Sequence, residues 1–323
     1  MNNANMKLAF VFPGQGSQSV GMLDRFIDNT PVHTTLEQAS AALGQDIAKL
    51  IHQGPAEELA LTVNTQPVML SAGIAIYRAW LAAGGTQPAM LAGHSLGEYT
   101  ALVAAGSLRF EDALQLVRFR AQAMQEAVPA GRGGMAAILG LKDDDVRALC
   151  AQASQLQLGI VEAVNFNAPT QTVIAGTATA VAAACQLAKE KGAKRALILP
   201  VSAPFHSSLL ASAGARLRER LADVICLPPT IAVMNNVDVK IEHHADAIKD
   251  ALVRQASAPV RWVETIQSMV SAGITHIIEC GPGKVLTGLT KQIAPHVVSA
   301  NIADPNSLAD TLTLLNQNHS LPK

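Results

Sequence analysis

Two apolar patterns alternate along the chain, and each predicts its own kind of element. Short unbroken runs at residues 7–12, 89–92, 230–234 and 274–279 read as strands buried on both faces. Longer stretches repeat apolar residues every three or four positions and read as helices packed by one face. These cover residues 31–43, 55–59, 68–83, 96–105 and 110–128, then 245–255, 259–272 and 284–292. Pro67 stands just before the helix at 68–83 and suits a first turn, where its missing N–H removes no helical bond. Residues after Leu315 are expected to fray. Strands that alternate with helices predict a mostly parallel sheet covered on both faces.

The rhythm changes at Pro129-Ala130-Gly131-Arg132-Gly133-Gly134, a stretch with the composition of a hinge. Beyond it come a strand at 135–139, a helix at 143–153, strands at 160–165 and 172–175, a helix at 177–191 and a strand at 195–201. That is β-α-β-β-α-β, the ferredoxin-like order. It reads as a small domain over residues 129–202, inserted into a large α/β domain made of 1–128 and 203–323.

Composition narrows the setting. Hydrophobic residues reach 49% but aromatics only 3%, so Ala, Leu and Val must build the core. A formal net charge of -1 offers no basic field for nucleic acid. Cys150, Cys185, Cys226 and Cys280 lie far apart with no metal-type spacing, as expected for free thiols in a reducing compartment. The first residues lack the layout of a signal peptide, and the apolar segment 68–83 carries Arg78 and is too short to span a bilayer. The expectation is a cytoplasmic protein with neither nucleic acid nor membrane as a partner.

The chemistry concentrates around Gly93-His94-Ser95-Leu96-Gly97. This G-x-S-x-G is the pattern of a nucleophile elbow, in which a serine sits on a tight turn between strand and helix. A serine packed in an ordinary glycine turn is the competing reading, and the strand before and helix after favour the nucleophile. Pro13-Gly14-Gln15-Gly16 follows the first strand but lacks the third glycine of a dinucleotide fingerprint, since Ser19 stands there. It is either a plain turn or a loop that brings the Gln15 amide beside Ser95. In the helix 110–128, Arg120 lies roughly 60° from the centre of the apolar face and Arg118 about 100° away. An arginine so placed forms an internal salt bridge, snorkels to water, or holds a carboxylate substrate with its planar fork. His206 follows the last strand of the insertion and is a candidate base for Ser95. His243, His244 and Asp246 lack metal-ligand spacing and read as solvated.

With these residues collected, the chain resembles the bacterial malonyl-CoA–acyl carrier protein transacylase family over roughly residues 7–292. Residues 12–18 look like its first signature and 93–99 like its nucleophile motif. Arg118-Phe119-Arg120-Ala121, with Met124 to Pro129, resembles its arginine-bearing segment. Asn165-Phe166-Asn167, Pro204-Phe205-His206, Gln255 with 259–262, and 281–286 complete the likeness. The resemblance implies an α/β-hydrolase-like large domain with the ferredoxin-like insertion. It implies Ser95 as the acylated nucleophile, His206 as its base, and the main-chain carbonyl of Gln255 as the group that orients the histidine. The backbone N–H groups of Gln15 and Leu96 would form the oxyanion hole, and Arg120, Met124, Asn165 and Asn167 would bind substrate. Malonyl-CoA and holo acyl carrier protein are the implied partners, with no metal or bound cofactor. A loader for a polyketide synthase, a malonate decarboxylase subunit, a thioesterase and a non-catalytic carrier-binding scaffold are the alternatives.

Overall fold

A computed structural model describes residues 6–201 and 203–317. The first half runs β1 (Leu8–Phe12), α1 (Thr30–Leu43), α2 (Ile47–Gln53), α3 (Ala56–Ala60), α4 (Thr62–Ala82), β2 (Met90–Gly93), α5 (Gly97–Ala104) and α6 (Phe110–Glu126). Then come β3 (Gly133–Leu139), α7 (Asp143–Gln155), β4 (Val161–Ala168), β5 (Gln171–Thr177), α8 (Ala178–Glu190) and β6 (Arg195–Ile198). The chain closes with α9 (Ala211–Ala222), β7 (Ala232–Met234), α10 (Ala245–Gln255), α11 (Trp262–Ser271), β8 (His276–Cys280), α12 (Val285–Ile293), β9 (Val298–Ile302) and α13 (Pro305–Gln317).

Five strands form one sheet in the order β7-β2-β1-β8-β9, with every pairing parallel. All five residues of β1 are buried because the strand is covered from both sides. Phe10 and Phe12 face α4, where Tyr77 and Trp80 meet their rings at 5.4 to 6.1 Å. Ala9 and Val11 point the other way, into a separate cluster with Trp262 and Ile277. Period-two alternation thus feeds two cores from one strand. The other four strands form an antiparallel sheet in the order β4-β5-β3-β6, the ferredoxin-like arrangement of a β-α-β-β-α-β unit. Helices α7 and α8 cover it, burying Val146, Leu149, Val181 and Ala184 against Ile138 and Ile174. The mixed α/β class and the parallel-plus-antiparallel division agree with the sequence reading.

Several boundaries differ, each for a physical reason. Helix α4 starts at Thr62, so Pro67 lies inside it rather than in its first turn. Tertiary bonds hold the preceding turn: Thr65 Oγ1 donates to Leu59 O at 2.6 Å and Asn64 Nδ2 to Glu58 O at 2.8 Å. Strand β6 ends at Ile198, short of the expected residue 201, as the chain turns at Pro200. Helix α11 begins at Trp262 because Val260 bonds instead to β4, accepting from Phe166 N at 3.0 Å and donating to Val164 O at 2.8 Å. Helix α2, helix α9, strand β9 and helix α13 were absent from the sequence reading. Residues 316 and 317 are helical rather than frayed, and the rest of the expected fraying lies outside the described residues.

Candidate active site

Parallel pairing brings the carboxyl ends of neighbouring strands together, and loops from four of them converge there. After β2 comes the Ser95 turn, after β1 the Gln15 loop, after β7 Asn235-Asn236, and after β8 Gly281-Pro282-Gly283. The two elbow glycines are sterically required. A Cβ on Gly93 would fall 1.8 Å from the carbonyl carbon of Gly97, and one on Gly97 would fall 2.1 Å from Phe12 O. Glycine therefore allows α5 to press against β1 and β2. Ser95 itself sits in left-handed backbone at φ 54°, a conformation that costs an L-residue free energy and exposes its side chain.

The Ser95 hydroxyl faces two groups from elsewhere in the chain, His206 and Arg120. His206 Nε2 lies 2.6 Å from Ser95 Oγ, and His206 Nδ1 lies 2.9 Å from the main-chain oxygen of Gln255. A carbonyl only accepts, so Nδ1 carries the hydrogen and Nε2 is free to accept from the serine. His206 is also left-handed, at φ 65°. Burial and then the nearby Arg120 charge push its pKa down to about 3, so the ring is a neutral base at ordinary pH.

Arg120 is 2% exposed and reaches inward from α6. Its Nη2 donates to Ser95 Oγ at 3.1 Å and to Gln255 Oε1 at 2.9 Å, while Nη1 donates to Gln66 Oε1 at 2.8 Å. The guanidinium stands 5.4 Å from the Tyr99 ring centre. These contacts are hydrogen bonds to neutral groups, so the cation beside the serine has no direct acidic partner among the described residues. Arg118 turns away, to Leu43 O and Gln45 Oε1.

The cleft has a cavity of about 130 Å³, with Gln15, Leu96 and Asn165 in its walls and Met135, Val173 and Val201 supplying apolar surface from the antiparallel sheet and its exit. Asn165 Oδ1 is buried without a hydrogen-bond partner. Asn167 does not line this cavity; its Oδ1 takes His94 Nε2 at 2.8 Å, which ties the elbow to β4. Met124 lies in the core below the cleft and is not part of its wall. Gln15 is anchored through its side chain, whose Oε1 accepts from Thr62 Oγ1 at 2.7 Å. His243 and His244 are exposed.

Three contributors escaped the sequence reading. Asn236 Oδ1 accepts the Ser95 backbone N–H at 2.7 Å, and its Nδ2 donates to Gly93 O at 2.7 Å. Gln66 holds Arg120, and Glu98 is buried beneath Gln255. A signal was present for two of them: Asn236 stands two residues past a strand, and Glu98 is a polar residue inside an apolar helical run, whereas Gln66 sits in the polar stretch Asn64-Thr65-Gln66 ahead of the expected helix.

Comparisons with known proteins give the family. A family model described as an acyl transferase domain matches residues 9–319. The malonyl CoA-acyl carrier protein transacylase of Escherichia coli strain K12 is 51% identical over 309 residues, covering 95% of this chain and 99% of that protein. The crystal structure of an acyl-carrier-protein S-malonyltransferase from Burkholderia pseudomallei 1710b superimposes with a TM-score of 0.94 at 66% identity, covering 95% of this chain and 100% of that one. A malonyl-transacylase solved in complex with its type II PKS acyl-carrier protein gives 0.93 at 47% identity, over 95% and 99% of the two chains. A match that runs almost end to end, over a serine, histidine and arginine already seen to converge, leads to one conclusion: this chain belongs to the acyl transferase family.

Proposed function

We propose that this protein transfers the malonyl group of malonyl-CoA to the phosphopantetheine thiol of an acyl carrier protein, through a malonyl ester on Ser95, and so supplies fatty acid biosynthesis. One observation carries the reading: a buried arginine without a direct acidic partner lies 3.1 Å from a serine oxygen that is itself 2.6 Å from a neutral histidine. A nucleophile and base serve any thioester, but the adjacent cation selects an acyl group that carries a carboxylate. The names of the relatives point to the same donor and acceptor.

The steps follow from the contacts. His206 Nε2 takes the Ser95 proton as Oγ attacks the malonyl thioester carbon, and the oxyanion forms against the backbone N–H groups of Leu96 and Gln15. Collapse breaks the carbon–sulfur bond, and the proton on His206 passes to the departing CoA sulfur. The carrier thiol then gives its proton to His206 and attacks the malonyl-Ser95 carbonyl; the carbon–Oγ bond breaks, and the proton passes from His206 to Ser95 Oγ. Arg120 holds the malonyl carboxylate throughout, and Asn165 is left as an acceptor on the cleft wall. We read residues 129–202 as an inserted domain that forms the second wall. No helix is long and apolar enough to cross a membrane among the described residues. All four cysteines are buried free thiols, which suits the reducing cytoplasm to which we assign the reaction.

The test is intact-mass measurement after mixing with malonyl-CoA, followed by addition of holo carrier protein. The mass gain of one malonyl group on Ser95, discharged onto the carrier, is expected. Rapid release of CoA with no malonyl on the carrier would indicate a thioesterase.

Selectivity gives a second test. Arg120→Ala is expected to lower kcat/KM for malonyl-CoA by about 2–5 kcal/mol of lost charged hydrogen bonding, while acetyl transfer holds or rises. Arg120→Lys recovers part, because an ammonium lacks the planar fork. Arg118→Ala changes little, since that side chain bonds to Leu43 and Gln45 away from the cleft. Equal losses for both substrates would make Arg120 structural.

The pH profile offers a third. With His206 depressed to about 3, its basic form persists as pH falls through the ordinary imidazole range near 6.5. Because kcat/KM reports the free enzyme, it should stay flat between pH 8 and about pH 5. An inflection near 6.5 in otherwise intact protein would count against a buried neutral base.

A further inference from the structure

Glu98 lies in the first turn of α5, is 2% exposed and does not line the cleft. Its Oε2 accepts from two donors, the Asn236 backbone N–H at 2.9 Å and Gln255 Nε2 at 2.8 Å. Those two residues between them hold the reacting groups. Asn236 fixes the elbow through the Ser95 N–H and Gly93 O. Gln255 fixes His206 with its main-chain oxygen and Arg120 with Oε1.

The orientation of the Gln255 amide follows from its partners. Nε2 has two hydrogens, one for Glu98 Oε2 and one for Ser95 O at 3.0 Å. Oε1 then faces Arg120 Nη2. Turned over, the amide would set N–H groups against the guanidinium and its oxygen against a carboxylate and a carbonyl. Without Glu98 the reversed or rotated amide loses one of these two acceptor clashes, and Arg120 can lose the acceptor that holds one arm of its fork.

We propose that Glu98 is a positioning residue that fixes the Gln255 amide the right way round, and through it sets the preference for an acyl group bearing a carboxylate. This rests on the malonyl-transfer reading given above. The required property is an acceptor oxygen rather than a charge. Burial raises the Glu98 carboxyl to about 7, against the opposing hydrogen bonds from Gln255 and Asn236, so much of it is protonated near neutrality. A protonated carboxyl keeps a carbonyl oxygen, and glutamine supplies the same atom.

The experiment measures kcat/KM for malonyl-CoA and acetyl-CoA, with thermal unfolding, in wild type, Glu98→Gln, Glu98→Met, Gln255→Met and Arg120→Ala. Glu98→Gln should keep the malonyl-to-acetyl ratio within about threefold, because the acceptor survives. Glu98→Met and Gln255→Met should each lower that ratio about tenfold or more, the loss of a hydrogen bond to a charged group. Gln255→Met retains the main-chain oxygen that orients His206, so acetyl transfer falls less than malonyl transfer. If Glu98→Met does not fold, Glu98→Ala takes its place, since it too leaves Gln255 Nε2 without the Glu98 acceptor while keeping the Gln255–Arg120 contact available. Equal losses for both substrates, or a Glu98→Gln variant as impaired in ratio as Glu98→Met, would overturn the proposal. A wild type without malonyl preference would overturn the functional reading and this inference together. A ratio that Arg120→Ala abolishes but Glu98→Met and Gln255→Met preserve would overturn this inference alone.

Discussion

Replacing Ser95 with alanine is expected to give a folded protein that forms no malonyl adduct and transfers nothing above background. The elbow's backbone is held by Asn236 through the residue 95 N–H and by Gln255 Nε2 through its carbonyl, and neither bond uses the side chain. Alanine tolerates the left-handed backbone no better and no worse than serine to first order, so the unfolding temperature should move little. What disappears is the oxygen that bonds to the malonyl carbonyl carbon, and with it the covalent route. The measurement is intact mass with malonyl-CoA, beside a thermal melt. A malonylated alanine variant, with the adduct mapped to another residue, would remove Ser95 from the mechanism.

His206→Ala carries the next largest effect. The imidazole is the group in place to take the serine proton, and losing a general base typically slows the step by about 10² to 10⁴. Pre-steady-state release of CoA reads that step directly. The cleft also contains His94, but its Nε2 is engaged by Asn167 rather than by the serine, so it is a poor substitute. A loss below about tenfold in folded protein would mean that another group takes the proton, and His94 would be the first to examine.

The readable parts of this chain were those in which local chemistry and tertiary need coincide. G-x-S-x-G announces its turn because Gly93 and Gly97 must lack side chains for strand and helix to touch. Arg120 declared itself by sitting inside an apolar stripe. The antiparallel sheet was legible from the order of its strands and helices, which alone distinguishes it from the parallel sheet. Asn236, Gln66 and Glu98 were not singled out because their value lies in partners 54, 138 or 141 residues away. Met124 illustrates the converse: its place on the apolar face of α6 is real, but that face is wide, and Met124 falls on the part turned to the core. The start of α4 was misjudged because propensity disfavours proline within a helix, while buried side-chain bonds from Asn64 and Thr65 hold the turn ahead of it.

Both members of the serine–histidine pair occupy backbone that suits glycine, at φ 54° and 65°. Each such residue is less favourable than glycine by about 1–2 kcal/mol. The pair is thus maintained against a standing thermodynamic preference, a penalty that is a noticeable fraction of what keeps a domain folded. Relief of backbone strain, taken alone, would favour glycine at both positions, and the protein would then be inert. Durability and turnover are opposed at these two residues, so a thermostable catalyst must gain its stability elsewhere in the chain.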